Sequence, residues 1–392
     1  MATPEGTGRD QREEFEWTRG RILAGVGGAL VAVIAVLGIA LPDSVFGYLL
    51  SGAVTVGVDV VRIGVRQDTV SAALRLSVPI AFAALGGIFS EKSGVINIGL
   101  EGLLIISAFT AVLVASVLGP DQGYIILPAG LVGPDPLVFP NRWVGFLAGV
   151  VVSTLFALLF AVVTIEFRAD QIIAGLAVWL IALGLAPFGS KVFFGTVNAD
   201  NVGTLGNLTI PVLSEIPYVG GILFDATPTV FMLLFAVPLS WLVLNHTTFG
   251  RWIRASGENP HALDTAGVNV HRVRYAGVTL SGVLSGIGGS GLALGHVGTF
   301  IGSGQTMVNG KGFIAIVAYL FGNYNPVGAF GASVLFSGLQ ALQTRLQNLP
   351  YYAVPESLIQ SIPFVVVILV LVLVGKTRVP EAAGEHYESG EE

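Results

Sequence analysis

Two polar, glycine-rich stretches interrupt an otherwise apolar sequence, and their side chains have the chemistry to contact a polar solute. They are SGVINIGLEG (93–102), with Asn97 and Glu101, and GSGQTMVNGKG (302–312), with Gln305 and Asn309. Amides and carboxylates accept hydrogen bonds, and such groups within membrane segments commonly mark transport pathways. Because the apolar runs that precede them are expected to cross in opposite directions, the pair predicts interrupted helices in an inverted repeat. We therefore predict that these four side chains lie along or beside a solute pathway.

Glu101 has three interpretations, and Trp179, a fifth candidate for the pathway, has two. A carboxylate at the start of an apolar run faces the interior of a bundle, stabilises a helix N-terminus, or pairs with Lys92 or Lys311. Trp179 lies in the middle of the run 171–190, where an indole either packs against neighbouring helices or stacks on a base or a sugar. The sequence leaves these alternatives open.

The stretch RASGENPHALDTAGVNVHRVR (254–274) gathers polar and charged residues in a chain that has few of them. Asn259 is a good N-cap, Pro260 suits the first helical position, and Gly267 suits the position after the last turn. PHALDTA is therefore predicted to be a helix of about two turns, which is marginally stable alone in water. It is either an ordinary capped loop on the membrane face or a docking helix for a cytoplasmic partner.

Several other kinds of chemistry are not supported by the sequence. The five histidines do not cluster with carboxylates at metal-ligand spacing, and a chain without cysteine has no disulfide and no thiolate metal site. GQTMVNGK (304–311) has one residue too many between its glycines for a phosphate-binding loop, and Gly312 follows where serine or threonine should bind magnesium. The basic residues are dispersed and the net charge is −6, which disfavours nucleic acid. We predict neither enzymatic activity nor a metal site.

The elements that position these side chains are predicted to be membrane helices. Hydrophobic residues make up 53% of the chain and charged residues 11%, whereas soluble domains have about 25% charged residues. A bilayer core about 30 Å thick needs roughly 20 helical residues. Charge-free runs near that length are 22–42, 102–120, 143–165, 171–190, 226–245 and 357–375, with a shorter one at 76–90.

Two longer runs, 275–310 and 312–344, exceed one spanning helix, because 33 helical residues would extend about 50 Å. In the first run, GTFIGSGQTMVNG (298–310) is too polar and glycine-rich to continue a helix. In the second, GNYNP (322–326) supplies a break, since proline lacks a donor and restricts the residue before it. The predicted fold class is therefore all-α with about ten passes, two of them short. The run 45–61 is predicted to be interfacial or re-entrant, or else a further span.

The order of these segments predicts the domain organisation. Residues 1–20 form a cytoplasmic tail, 21–69 an extra span with the interfacial segment, 70–375 a transmembrane domain whose largest cytoplasmic loop is 246–274, and 376–392 an acidic tail. Arginine and lysine flank the first span, the last span and the loop, so the positive-inside rule assigns all three places to the cytoplasm. Ten passes agree, because an even number puts both termini on one side. The acidic ends are expected to be solvated.

Four long motifs resemble those of a known family. FGRWIRASGENPHALDTAGVNVHRVRY is similar to the cytoplasmic coupling loop of ABC-importer permeases, in the nucleoside and simple-sugar branch that is related to branched-chain amino-acid permeases. The other motifs are ALGGIFSEKSGVINIGLEGLLIISAF (84–109), ADQIIAGLAVWLIALG (169–184) and GKGFIAIVAYLFGNYNPVGAFGASVLFSGLQALQTRLQ (310–347). The resemblance covers residues from about 70 to 375, and the first 60 residues and the loop near 119–141 look like additions. The family commonly has asparagine where this chain has Trp179, which leaves the solute open.

The resemblance implies a multi-pass permease of an ATP-driven importer in the cell membrane. Two permease subunits, usually different homologous chains in the nucleoside branch, would form the pathway, and an extracellular solute-binding lipoprotein would deliver the solute. Cytoplasmic ABC ATPases would bind ATP and magnesium and grip the coupling loops, while this chain holds no cofactor. The implied coupling residues are Arg254, just before the docking helix, and, within it, Gly257, Glu258, Asn259, Pro260, Ala262, Asp264 and Gly267.

The motif FSEKSGVINIGLEG looks closest to the nucleoside branch, so a nucleoside is the favoured solute and a simple sugar is the first alternative. The second alternative is an ion-driven secondary transporter, in which a buried acid would bind the coupling ion. Glu101, Glu166 and Asp170 are the candidates for that acid. The last two flank Arg168 in EFRAD, at a predicted cytoplasmic turn, which favours a solvated role.

Overall fold

A computed structural model describes residues 62–120, 122–127, 137–347 and 378–388 of the chain. By contacts between residues the chain divides into two units, 1–65 and 66–392, and nearly all of the described residues belong to the second. The expected spans 22–42 and 357–375, the segment 45–61 and the first tail lie outside the described residues.

The described part of the second unit is built mainly of helices. Its helices are α1 Gln67–Lys92, α2 Leu100–Val117, α3 Asn141–Ala161, α4 Gln171–Phe194, α5 Pro228–His246, α6 Thr248–Glu258, α7 Pro260–Thr265, α8 Val270–Leu292, α9 Lys311–Phe321 and α10 Pro326–Gln347. π-helical turns continue α3 over Val162–Glu166 and α8 over Ala293–Val297, and a separate one covers Gly220–Phe224. Two short antiparallel pairs complete the description, β1 Gly123–Leu127 with β2 Leu137–Pro140 and β3 Leu208–Thr209 with β4 Asp225–Ala226.

Six of these helical segments are long and apolar enough to cross a membrane, and α9 is a shorter apolar helix. The predicted all-α, multi-pass architecture is therefore confirmed for the part of the chain that the structure describes. The two long runs break as predicted, because α8 and its π turn end before Gly298, and α9 ends at Phe321 before α10 begins at Pro326. The inverted repeat stays a prediction.

The expected short span 76–90 is wrong in its length. Helix α1 begins at Gln67, so it holds 26 residues and includes Arg75 and Pro79. Arg75 is only half-buried, and its guanidinium donates to the carbonyl of Ser71, one turn earlier in the helix. A long basic side chain can lie along a helix in this way and keep its charge near the bundle's edge. A count of charge-free residues therefore placed the start of this helix too late in the sequence.

Helices α1, α2 and α8 form the buried centre of the bundle, and α3, α4 and α5 expose one apolar side each. Glycines on α8 allow this close packing. A Cβ added at Gly289 would lie 2.3 Å from the carbonyl oxygen of Leu104 on α2, and one at Gly286 would lie 2.8 Å from the Cα of Val150 on α3. Small residues let membrane helices approach closely, so the backbone of α8 contacts two neighbours at once.

The expectation of a solvated acidic C-terminus is wrong for residues 378–388. Ala382 and Tyr387 are only 4% and 5% exposed, whereas the acidic side chains of Glu381 and Glu385 point outwards. The backbone N–H of Ala382 donates to the carbonyl of Gly257, at the end of α6, with a nitrogen–oxygen distance of 2.8 Å. The acidic composition correctly predicted exposed side chains at Glu381 and Glu385. It could not predict that Ala382 and Tyr387 are buried against the helices.

Candidate functional site

The first interruption, residues 93–99 between α1 and α2, is held by polar side chains from three directions. The Asn97 amide oxygen accepts from the N–H of Gly99 at 3.0 Å, and its nitrogen donates to the Ser281 hydroxyl of α8 at 3.2 Å. Gln171, the first residue of α4, accepts from the N–H of Ile96 at 2.7 Å. These bonds satisfy backbone groups that lack helical partners, as irregular backbone between membrane helices requires. Asn97 is 1% exposed and acts as a brace in this conformation.

Glu101 joins the first interruption to the second. It lies in the first turn of α2, is 2% exposed, and accepts from the N–H of Gly310 at 2.7 Å and from that of Gly312 at 2.6 Å. Gly310 is the N-cap of α9 and has φ +80°, a conformation that favours glycine. A Cβ at Gly312 would lie 2.4 Å from the Glu101 nitrogen, so the starts of α2 and α9 are in direct contact.

This geometry supports the helix N-terminus interpretation of Glu101 and extends it. The first N–H groups of any helix lack partners within it, and in apolar surroundings an unpaired one is costly. The carboxylate satisfies two such groups of α9 while lying at the positive end of α2. Among the described residues no ion pair joins Glu101 to Lys92 or Lys311, and the Lys311 ammonium instead donates to the carbonyl of Val308 at 3.1 Å.

The second interruption, residues 298–310, brings Gln305 and Asn309 to the surface of this chain. Both side chains are exposed, and Asn309 has φ +46°. Asn198, beyond the end of α4, anchors the segment by accepting from the N–H of Gly302 at 3.0 Å. The structure thus separates the predicted pathway residues into two buried ones, Asn97 and Glu101, and two exposed ones. Their contact with a solute stays a prediction.

Trp179 packs between helices. Its indole meets the ring of Phe313 on α9 edge to face, with centroids 5.2 Å apart and planes at 85°, and it is half-buried. A Cβ at Gly102 would lie 2.8 Å from the Cα of Trp179, so α2 and α4 are in close contact at this level. These contacts favour the packing interpretation and leave part of the indole open.

Helices α6 and α7, together called the handle, contain six of the predicted coupling residues, while Asn259 lies between the two helices and Gly267 follows α7. The carboxamide oxygen of Asn259 accepts from the N–H of Ala262 at 3.0 Å, Pro260 begins α7, and Gly267 follows it with φ +79°. The prediction of a short capped helix is confirmed. The resemblance placed Gly257 and Glu258 in the docking helix, which is wrong, because both lie at the end of α6.

Arg254 likewise lies inside α6 rather than in a loop before the docking helix, since α6 spans Thr248–Glu258. Asp264 lies within α7, as expected. The sequence signal for α6 was Thr247, whose hydroxyl accepts from the N–H of Gly250 at 3.1 Å as an N-cap. The charged residues of the stretch suggested a loop and concealed this amphipathic helix.

The handle is joined directly to the first interruption. The buried Ser256 hydroxyl donates to the carbonyl of Ser93 at 2.8 Å. A Cβ at Gly257 would lie 2.4 Å from the Lys92 carbonyl oxygen and 3.3 Å from the Gly94 nitrogen. Because α6 contacts residues 92–94 directly, a displacement of α6 would displace these residues as well. From there the chain continues to Glu101, whose carboxylate accepts from N–H groups at the start of α9.

A buried carboxylate that the sequence did not single out closes the other end of α9. Glu91 is 6% exposed and accepts from the hydroxyl of Tyr319 and from that of Tyr324, the latter at 2.7 Å. Burial and the neighbouring Glu91 charge raise the pKa of Tyr324, so this hydroxyl stays protonated and can donate. The sequence signal that could have identified Glu91 is its position: it is an acidic residue directly after the apolar run 76–90. Glu91 and Glu101 together hold α9 at both ends.

The fold and site define a class: a multi-pass membrane protein with interrupted helices joined to a polar handle. A family model described as the permease component of branched-chain amino acid transport systems matches residues 69–374. The chain belongs to this family of permeases.

Three relatives extend the match. NupC of Lactococcus lactis subsp. cremoris, a nucleoside ABC transporter permease protein, and NupQ of Bacillus subtilis, a guanosine ABC transporter permease protein, are each 37% identical to this chain. Both alignments cover 82% of this chain and 96% of the relative. TsgC13 of Haloferax volcanii, provisionally named a glucose ABC transporter permease, is 31% identical over 73% of this chain and 78% of its own length. No solved structure matches the chain.

Proposed function

We propose that this chain is a permease subunit of an ATP-driven importer and that the imported solute is a nucleoside. The observation that carries the proposal is the 37% identity to two permeases of nucleoside and guanosine transporters over 96% of their length. The contacts between the handle and the first interruption support it, because they provide a route by which a cytoplasmic motor moves the helices that bound the pathway.

The proposed partners follow from the surfaces of the chain. A separate ABC ATPase binds ATP and magnesium and grips α7, on which Ala262 and Thr265 are exposed. The exposed apolar side of α4, with Leu180 and Phe188, suits lipid and a second, homologous permease subunit. A solute-binding lipoprotein delivers the nucleoside from outside. In this arrangement the chain lies in the cell membrane with both termini in the cytoplasm, and ATP hydrolysis takes place on the ATPase.

Within this proposal, three of the five pathway candidates contact the solute and the other two position the residues that line the pathway. Gln305 and Asn309 are exposed and offer hydrogen-bonding groups to ribose and base. Asn97 and Glu101 are buried and hold the two interruptions in position through their hydrogen bonds. The open part of the Trp179 indole offers a surface for stacking on a base.

A simple sugar is the second candidate solute, and the observation that favours it is the 31% identity to the glucose-assigned permease. An ion-coupled mechanism has less support. Both oxygens of Glu101 accept backbone N–H groups, and the exposed Asp170 caps α4 by accepting from the N–H of Ile173 at 2.9 Å. Glu166 is also exposed, as a solvated turn requires.

Competition during uptake tests the choice of solute. Cells that express the chain with its ATPase and binding protein are given labelled guanosine, and unlabelled adenosine, ribose or glucose is added in excess. We expect adenosine to suppress the label and glucose to leave it unchanged, because the pathway recognises a base as well as a sugar. Uptake of labelled glucose with no uptake of guanosine would establish the sugar alternative instead.

A further inference from the structure

The C-terminal segment, residues 378–388, crosses the same end of the bundle that carries the handle. The N–H of Arg378 donates to the side-chain oxygen of Asn323, between α9 and α10, at 2.9 Å. The N–H of Ala382 donates to the carbonyl of Gly257 at 2.8 Å, and that of Gly384 donates to the carbonyl of Gly94 at 3.1 Å. One short segment therefore binds the handle, the first interruption and the loop after α9.

Side chains fix the segment in place. The ring of Tyr387 is 5% exposed and lies against two histidines, His261 of α7 at 5.1 Å and His271 of α8 at 6.0 Å between ring centroids. A buried aromatic ring against other rings contributes both area and specific geometry. Tyr387 thus connects the docking helix to the start of the next long helix.

Arg274 shows that the bundle is shaped to receive this segment. Its guanidinium is buried, at 4% exposure, and Nη1 donates to the carbonyl of Glu385 at 2.7 Å. Nε and Nη2 have no hydrogen-bond partner among the described residues. Without the segment, Arg274 would lose its hydrogen bond to Glu385 and gain contact with water. The segment therefore supplies a hydrogen-bond acceptor to a buried charge, and removing an acceptor from such a charge is costly.

The segment leaves the outer side of the docking helix open. Ala262 and Thr265 of α7 are exposed, and His261 also stays exposed although the Tyr387 ring lies against it. A partner can therefore grip α7 while the segment stays in place. The segment therefore does not act as a lid, because a lid would have to leave before a partner could bind.

We propose that residues 378–388 form a strap that makes the handle and the first interruption move as one body, so that the strap is a positioning element for energy coupling. The proposal rests on the proposed function, since it needs an ATPase to move the handle. The handle touches the interruption through Ser256 and Gly257, and the strap adds a second connection from Gly257 to Gly94. Without the strap, a movement of the ATPase shifts α7 relative to the bundle, and less of that movement reaches the first interruption.

Truncation tests the strap in the complete importer, reconstituted in liposomes. One variant ends after residue 377, a second carries Tyr387→Ala in the full chain, and a control ends after Glu388 and so keeps the strap. We expect the first two to hydrolyse ATP but to move at least about fivefold less solute per ATP than the control, the lower end of typical coupling between sites. An unchanged ratio of solute to ATP in both variants would overturn the proposal.

A cross-link tests whether the strap stays bound during transport. The chain has no cysteine, so Arg168→Cys with Glu388→Cys introduces a single pair at an ion pair on the strap's edge, away from its buried contacts. After a short, reducible methanethiosulfonate cross-linker has reacted, we expect uptake to continue. If the cross-link stops uptake and reduction restores it, the strap must detach, and the proposal is wrong. Loss of ATP-driven uptake by the unmodified importer would instead contradict the proposed function.

Discussion

Glu101 illustrates what a single residue contributes to this fold. Its carboxylate accepts two N–H groups from the start of α9, so one side chain holds the second interruption against the first. The sequence predicted that the residue is important and offered the helix N-terminus as one explanation. It could not predict that the helix concerned is also α9, because the 209 positions that separate Glu101 from Gly310 are brought together only by the packing of the bundle.

Replacing Glu101 with glutamine should destabilise the chain by about 1–3 kcal/mol, the cost of leaving a buried donor unsatisfied. The amide keeps one oxygen acceptor but directs an NH2 group at a backbone N–H. We expect a lower midpoint of thermal unfolding in detergent than that of Glu258→Gln, a control at an exposed carboxylate. Equal midpoints for the two variants would mean that the charge of Glu101 has no structural role.

Gly257 is the residue at which the handle touches the bundle most closely. In Gly257→Ala the new Cβ would meet the Lys92 carbonyl at 2.4 Å, so α6 must move away from the first interruption. We expect ATP-driven uptake to be lost while the chain still inserts into the membrane in normal amounts. Gly331→Ala on α10 is the matched control, because no atom lies within 4 Å of its added Cβ. Normal uptake by Gly257→Ala would separate this contact from coupling.

At the scale of elements, the handle depends on its surroundings. Helix α7 has six residues, too few to be stable alone in water, and relies on its N-cap and on the burial of Pro260 and Leu263. The ends of α7 were predictable from the local sequence. Asparagine is a good N-cap, proline suits the first helical position, and glycine suits the position after the last turn. Helix α6 was missed because its charged residues concealed the Thr247 cap, whereas the position of residues 378–388 was not predictable, because contacts distant in sequence hold them in place.

Removal of the cap should weaken the handle as a docking site. Asn259→Ala loses the bond to the Ala262 N–H and should cost about 1 kcal/mol of helix stability, whereas Asn259→Asp keeps an acceptor. We expect less ATPase to co-purify with the alanine variant than with the aspartate variant. If both variants retain the same amount of ATPase, the cap does not contribute to docking.

The breaks in the long apolar runs were also predictable from local chemistry. Gly298 follows α8 and its π turn with φ +81°, and Pro326 begins α10 after the break at residues 322–325, so the positions of both breaks followed from local sequence. The start of α1 at Gln67 did not, because a half-buried arginine within the helix ended the charge-free run. The sequence therefore located the interruptions better than it located the ends of helices near charges.

At the scale of the whole molecule, the contacts form one continuous path. It leads from α7 through Gly257 to residues 92–94, on to Glu101, and from there to α9, whose far end is held by Glu91. Motion applied at the handle can therefore reach both interruptions through these contacts and the chain between residues 94 and 101. Chains of packed side chains and hydrogen bonds of this kind can carry coupling between distant sites.

The most direct test of this account is the energy source of transport. The chain is reconstituted with the proposed ATPase and second permease in liposomes that contain ATP, and labelled guanosine is added outside with the proposed binding protein. We predict uptake that requires ATP, survives a protonophore and is abolished by Gly257→Ala. Uptake that persists without ATP and collapses with the protonophore would contradict the account.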